Sequence, residues 1–174
     1  DAEVVPYKNR GFNRSFIRGD IVNILFVCTA NVSRSFLAEQ LFRHEAKKAG
    51  IAKVEAASAG VADLSGSPPD PKMIEHLFKQ DIGFDRHAAR PVDSELVQWA
   101  DRIFVMEEVQ AEILRQQYPQ SIEKIALLGG CIPPGEPSVD IADPFGQSAF
   151  HYRTAISQIT IAVKNLAAAI AAEQ

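Results

Sequence analysis

The most constraining feature of this chain is the stretch VCTANVSRS at residues 27–35. An apolar run over residues 21–27, with Asn23 as its one polar member, leads into it, and a helical pattern over residues 36–49 leads out. α/β proteins hold phosphate at such junctions, because a helix N-terminus offers unpaired N–H groups and the positive end of a dipole. The stretch therefore predicts an anion-binding loop between a buried strand and a helix.

Two side chains in this stretch carry chemistry, Cys28 at its start and Arg34 six residues later. A thiol beside a cation and a nest of amides ionises readily, and a guanidinium matches two phosphate oxygens. The predicted phosphate-binding residues are Thr29, Ala30, Asn31, Val32, Ser33 and Arg34. The stretch lacks the Gly-x4-Gly-Lys-Ser/Thr pattern of nucleotide-binding loops. For Cys28 taken alone, the alternative is a small buried apolar side chain at a strand end.

Length and composition predict one globular domain, because 174 residues with 47% hydrophobic content can bury a proper core. We interpret residues 1–20 as an N-terminal extension and residues 21–174 as the domain. A net charge of -4 without clustered Lys and Arg argues against nucleic-acid binding. No apolar run reaches about 18 residues, so no membrane insertion is expected. Two cysteines do not make a disulfide scaffold, and a reactive thiolate favours a reduced, cytoplasmic setting.

Apolar runs alternate with helical patterns along the chain. The predicted strands are residues 21–27, 52–57, 103–106 and 125–128, and helices are expected after residues 35, 70, 93 and 108 and in the C-terminal segment. A long loop with four prolines covers residues 129–146. The fold class is therefore α/β, doubly wound, with about four parallel strands and helices on both faces. Ligands of such sheets bind beyond the carboxyl ends of the strands, where the loop at residues 27–35 lies.

A carboxylic acid is the second requirement for phosphoester cleavage, because the leaving oxygen must gain a proton. Asp143 stands at the end of the long loop, and the following Pro144 restricts it to an extended backbone. We predict that Asp143 reaches into the pocket. The alternatives are that Asp143 only forms a turn before the last helix, or that Asp140 is the acid.

These motifs together resemble the low-molecular-weight protein tyrosine phosphatases. The family pattern at the catalytic loop is matched by Val27, Cys28, Asn31, Arg34 and Ser35. Further matches follow in the same order: Ser58-Ala59-Gly60, His87 with Arg90, Asp101 with Met106, and Asp143-Pro144. The resemblance covers residues 21–174 and is strongest to bacterial phosphatases paired with the tyrosine kinases of capsule and exopolysaccharide export.

The resemblance implies a two-step hydrolysis of phosphotyrosine in proteins. Cys28 would attack phosphorus and form a phosphocysteine, and Arg34 with the loop amides would stabilise the equatorial oxygens. Asp143 would protonate the tyrosyl oxygen and then activate water. The implied partners are phosphotyrosine proteins, including a bacterial tyrosine kinase or its substrates in polysaccharide export. No cofactor and no metal are implied, and the chain is expected to be a monomer or weak dimer.

The resemblance also implies supporting residues behind the loop. Ser35 would donate a hydrogen bond to the thiolate, and Asn31 would adopt a left-handed backbone. Ser58 and His87 would bond to Asn31 from behind. Without the resemblance, His87 is equally well an ordinary surface histidine.

Three positions depart from the usual family pattern. Ser33 replaces the second cysteine that many members carry in the loop, so no disulfide can form there. Leu64 provides a smaller apolar substrate wall than the tryptophan of eukaryotic members, and Phe145 replaces a tyrosine while keeping the aromatic wall. Cys131 is the only other thiol, and its pairing with Cys28, or a redox role, is left open.

Two other functions remain as alternatives. Arsenate reductase uses the same fold, but its electron relay typically requires two thiols besides the nucleophile. Cys131 is the single candidate for such a thiol in this chain. A non-catalytic phosphate-binding module would be expected to lack one of the Cys, Arg and Asp side chains, and all three are present.

Overall fold

The structure, a computed structural model, describes residues 21–133 and 140–173. The predicted extension at residues 1–20 and the proline-rich middle of the long loop lie outside the described residues. The described part begins one residue before the first strand and ends with the C-terminal helix. All of the predicted site residues lie within these two ranges.

A four-stranded parallel sheet forms the centre of the domain, with strand order β2-β1-β3-β4. The strands are β1 (Val22–Cys28), β2 (Val54–Gly60), β3 (Arg102–Val105) and β4 (Ile125–Leu127). The predicted sheet is confirmed, with shifted ends. The second strand runs on to Gly60, because its small residues are buried beside β1, a feature that hydrophobic periodicity does not detect.

Within residues 21–133 and 140–173, five α-helices surround the sheet: α1 (Arg34–Lys48), α2 (Pro71–Lys79), α3 (Ser94–Trp99), α4 (Glu108–Gln117) and α5 (Ala149–Glu173). Asp70 and Asp93 cap α2 and α3 by accepting hydrogen bonds from backbone N–H groups inside those helices. Two 3₁₀ segments, Pro119–Lys124 and Leu128–Cys131, flank β4. Neither was predicted, because short 3₁₀ turns have no hydrophobic period of their own.

Alternate residues of β1 point to opposite faces of the sheet. Ile24 and Phe26 join the core beneath α1, α2 and α5, whereas Leu25 and Val27 join the core beneath α3 and α4. Both faces are thus covered, which explains why β1 is apolar almost throughout. The doubly wound arrangement predicted from the sequence is confirmed.

Helix α5 is long and apolar, and by length and composition alone it is the one helix in the described ranges that could cross a membrane. Its apolar stripe, however, packs in the core beside α1, as the sequence pattern predicts. The stripe consists of Tyr152, Ala155, Ile159, Ala162, Val163, Leu166, Ala167 and Ile170. Packing against the sheet accounts for the apolar character of this face.

Candidate active site

The predicted phosphate loop joins the carboxyl end of β1 to the N-terminus of α1, at the centre of the sheet. Its side chains and two later loops enclose a cavity of about 120 Å³. The cavity is lined by Cys28, Ala30, Val32, Ser33, Arg34, Leu64, Asp143 and Phe145. The structure thus brings the predicted nucleophile, cation, acid and apolar walls to one place. A larger open groove of about 970 Å³ between α1 and residues 81–87 includes only His87 of the predicted site residues.

Cys28 is the last residue of β1, and its sulfur faces the loop. The N–H of Asn31 donates to Cys28 Sγ at 3.3 Å, and Ser35 Oγ lies 3.0 Å from the same sulfur. Asn31 Nδ2 donates to Ser35 Oγ at 2.9 Å. Because Ser35 Oγ accepts this bond, its own proton is left to be donated to the sulfur, in the direction that the resemblance implies.

Asn31 has a φ of 58°, the left-handed backbone that the resemblance implies. Its amide group donates to Ser58 Oγ at 2.9 Å and accepts from the N–H of Arg90 at 3.1 Å. His87 Nε2 donates to the Asn31 carbonyl at 2.8 Å. His87 is therefore not an isolated surface side chain, and the strained backbone is held on three sides.

Arg34 is almost completely buried at the N-terminus of α1. Its Nη1 donates to the carbonyl of Ile141 at 2.8 Å and forms an ion pair with Glu107, while its Nη2 lies 3.4 Å from Asp143 Oδ2. Glu107 was not predicted from the sequence. A signal was present, however: Glu107 follows β3, and with Gln110 it forms a capping box on α4 at the binding edge of the sheet.

Asp143 forms a turn and also faces the cavity. Its Oδ1 accepts from the N–H of Phe145 at 3.1 Å, which forms a turn, and its Oδ2 points toward Arg34 in the cavity. Asp140 instead accepts from the N–H of Glu108 at 3.1 Å and does not line the cavity. The geometry therefore favours Asp143 over Asp140 as the acid.

A profile described as low molecular weight phosphotyrosine protein phosphatase matches residues 23–174, which include every residue of this cavity. The chain belongs to this family. The part of this phosphatase that the profile matches contains its phosphate loop.

Relatives of this phosphatase carry two different substrate names. A protein-arginine-phosphatase of Bacillus subtilis is 30% identical over 84% of this chain and 95% of its own length. A probable low molecular weight protein-tyrosine-phosphatase, EpsP, of Ralstonia nicotianae is 31% identical over 80% of this chain and 89% of its own length. The crystal structure of YfkJ from Bacillus subtilis is 29% identical, with a TM-score of 0.83 over 90% of this chain and 99% of that one.

The second thiol of the phosphatase lies in the core. Cys131 is buried, and burial raises the pKa of its thiol to about 12. Both cysteines are free, so the open possibility of a Cys28–Cys131 bridge is not realised. Among residues 21–133 and 140–173, no three His, Cys, Asp or Glu side chains lie together as a metal site would require.

Proposed function

We propose that this chain hydrolyses phosphotyrosine in proteins through a phosphocysteine intermediate, with Cys28 as the nucleophile and Asp143 as the general acid. One observation carries the proposal: Cys28, the Arg34 guanidinium and the Asp143 carboxyl line a single small cavity at the carboxyl edge of the sheet. A nucleophile, a fixed cation and a proton donor are the three parts that phosphomonoester cleavage needs.

In the first step, the Cys28 thiolate attacks phosphorus. The sulfur–phosphorus bond forms as the bond from phosphorus to the tyrosyl oxygen breaks, and Asp143 gives its proton to that oxygen. The amides of the loop, the N-terminus of α1 and Arg34 stabilise the charge on the equatorial oxygens. Glu107 and the Ile141 carbonyl hold the guanidinium in place, so no reorganisation is needed as charge develops.

In the second step, water attacks phosphorus and the sulfur leaves as a thiolate. Asp143, now a carboxylate, takes the proton of that water. The hydroxyl of Ser35 stands 3.0 Å from the sulfur and donates to it as negative charge returns. Inorganic phosphate is released, and the loop is restored.

The walls of the cavity favour an aromatic substrate. Val32, Leu64 and Phe145 are apolar, and Leu64 and Phe145 are partly exposed, so they can pack against an aromatic ring that enters the cavity. Among the described lining residues the only carboxylate is Asp143, which already faces Arg34. A phosphorylated guanidinium would therefore find few acceptors for its N–H groups.

Phosphoarginine is the second candidate substrate, because a protein-arginine-phosphatase is 30% identical over most of the chain. The arsenate reductase alternative is less well supported, since Cys131 is buried and its pKa is raised, which makes it a poor partner for thiol exchange. A non-catalytic role is disfavoured because the nucleophile, the cation and the acid are all in place.

The cellular role is proposed on the sequence resemblance and on the similarity to EpsP. We infer that the chain acts in the cytoplasm on a bacterial tyrosine kinase, or on its substrates, in polysaccharide export. Its state as a monomer or weak dimer stays a prediction.

The test is a comparison of peptides that carry phosphotyrosine, phosphoarginine, phosphoserine or phosphothreonine. We expect the highest kcat/KM for phosphotyrosine and no turnover of any of them by Cys28→Ser. Cys28→Ser should still bind phosphotyrosine peptide, because the loop amides and Arg34 remain. A higher kcat/KM for phosphoarginine would transfer the assignment to the second candidate, and turnover by Cys28→Ser would remove Cys28 from the mechanism.

A further inference from the structure

A buried hydrogen-bond network, separate from the contacts of Ser58 and His87 with Asn31, holds the Val32–Ser33 part of the phosphate loop. At the centre of this network is Asp70, which caps α2 and whose residue surface is 2% exposed. Asp70 accepts hydrogen bonds from Ser33 Oγ, from the Tyr152 hydroxyl at 2.7 Å and from the N–H of Lys72 at 2.9 Å. In return, the N–H of Asp70 donates to the carbonyl of Val32 at 3.0 Å. Both main chain and side chain thus tie Asp70 to the loop.

Tyr152 connects this network to a second loop. Its hydroxyl donates to Asp70, and its backbone N–H donates to the carbonyl of Ser148 at 3.3 Å, just after the turn that carries Asp143. Burial and the bond to Asp70 raise the pKa of the phenol, so it keeps the proton that it donates. The ring is buried in the first turn of α5, with Lys72 Nζ 4.3 Å from its centre. The phenol is therefore fixed in position by packing as well as by hydrogen bonds.

Gly146 closes the turn that presents Asp143. Asp143 Oδ1 accepts from the N–H of Phe145, and the carbonyl of Pro144 accepts from the N–H of Gln147 at 2.9 Å. Gly146 itself has a φ of 73°, which lets the chain reverse before α5. The side chains of Asp143 and Phe145 are about half exposed, so packing alone does little to hold them.

We propose that Tyr152 is a positioning residue that sets the placement of the Asp143 turn relative to the phosphate loop, by joining the first turn of α5, which closely follows the Asp143 turn, to Ser33 through Asp70. The inference rests on the proposed function and adds to it a residue that contacts neither phosphate nor leaving group. Its physical basis is geometric. Proton donation requires hydrogen-bond reach to the leaving oxygen, and a displacement of about 1 Å can cost about a hundredfold in rate.

The test is Tyr152→Phe, which removes the hydroxyl and keeps the buried ring. We expect kcat/KM to fall by about tenfold or more for phenyl phosphate and clearly less for p-nitrophenyl phosphate, because a poor leaving group depends more on the acid. Inhibition by vanadate should change by less than about threefold, since the loop amides remain. Tyr118→Phe is the matched control, and it should leave both substrates unaffected.

A purely structural role would lower kcat/KM for both aryl phosphates by the same factor. That result, or no change at all, overturns the proposal. If Tyr152→Phe does not fold, Asp70→Asn is the second variant, because it keeps the cap of α2 while replacing the charged acceptor. It should likewise lose more kcat/KM for phenyl phosphate than for p-nitrophenyl phosphate. A wild-type protein that cleaves neither ester overturns the proposed function and this inference together, whereas an active wild type with equal losses in the variants overturns this inference alone.

Discussion

The carbonyl oxygen of Thr29 lies 2.7 Å from the position that a Cβ on Gly60 would occupy. The carbonyl carbon of Ala30 and the nitrogen of Asn31 would each lie 3.0 Å from it. The contacted atoms are all backbone, so they cannot move aside without moving the phosphate loop. The last residue of β2 therefore limits how the catalytic loop can fold.

Gly60→Ala should lower both stability and activity. We expect the free energy of unfolding to drop by about 1–3 kcal/mol, the usual cost of overpacking, and kcat for p-nitrophenyl phosphate to fall with it. Gly83→Ala is the matched control, because a Cβ there meets nothing within 4 Å. Chemical denaturation and steady-state kinetics check both variants. A fully active Gly60→Ala would show that the loop backbone can shift to make room for the added methyl group.

Glu107→Gln should impair catalysis through Arg34. The Arg34 side chain is 2% exposed, and it would lose the charge of Glu107 while staying buried, with Asp143 remaining 3.4 Å from its Nη2. We expect kcat/KM for aryl phosphates to fall about 10–100-fold, since a charged hydrogen bond contributes about 1.5–3 kcal/mol. Glu108→Gln, which breaks a surface pair with Arg115, should have little effect. Equal losses in the two variants would contradict a specific role for Glu107.

Asp143→Ala should slow aryl phosphate cleavage by about 10²–10⁴-fold, the range expected for loss of general acid catalysis. Its side chain is about half exposed, so the melting temperature should hardly change. Asp140→Ala is the control, and it should cost less because Asp140 bonds to α4 and does not line the cavity. A larger loss for Asp140→Ala would reassign the acid.

Stability should fall on the alkaline side because of Cys131. Burial raises its pKa from about 9 to about 12, so between these pH values the unfolded chain releases a proton that the folded chain keeps. The free energy of unfolding must then decrease as pH rises through this window. Denaturant titrations of Cys28→Ser and of Cys28→Ser with Cys131→Ala, at several pH values, measure the effect. The double variant should show a flatter decline, and parallel curves would contradict the prediction.

Much of the fold was predictable because its signals are local. The apolar run at residues 21–27, the cap and proline at Asp70 and Pro71, and the stripe of α5 each lie within one element. The 3₁₀ segments beside β4 and the true end of β2 were missed, because hydrophobic periodicity does not detect short turns or small buried residues. A turn at Asp143 and its reach into the pocket were expected as alternatives. In the structure, one carboxyl oxygen forms the turn and the other points toward Arg34.

The sequence by itself determined the junction of strand, phosphate loop and helix, because Cys28 and Arg34 are separated by a few consecutive residues between an apolar run and a helical pattern. Only the tertiary structure decided what surrounds that junction. Glu107, Gly60 and Tyr152 reach the loop or its neighbours from three different elements. Gly60 belongs to a matched motif and Glu107 follows a strand, but neither feature specifies which atoms of the loop they contact. Parallel strands place their carboxyl ends together only after the whole sheet has formed, so partners of this kind become visible only in three dimensions.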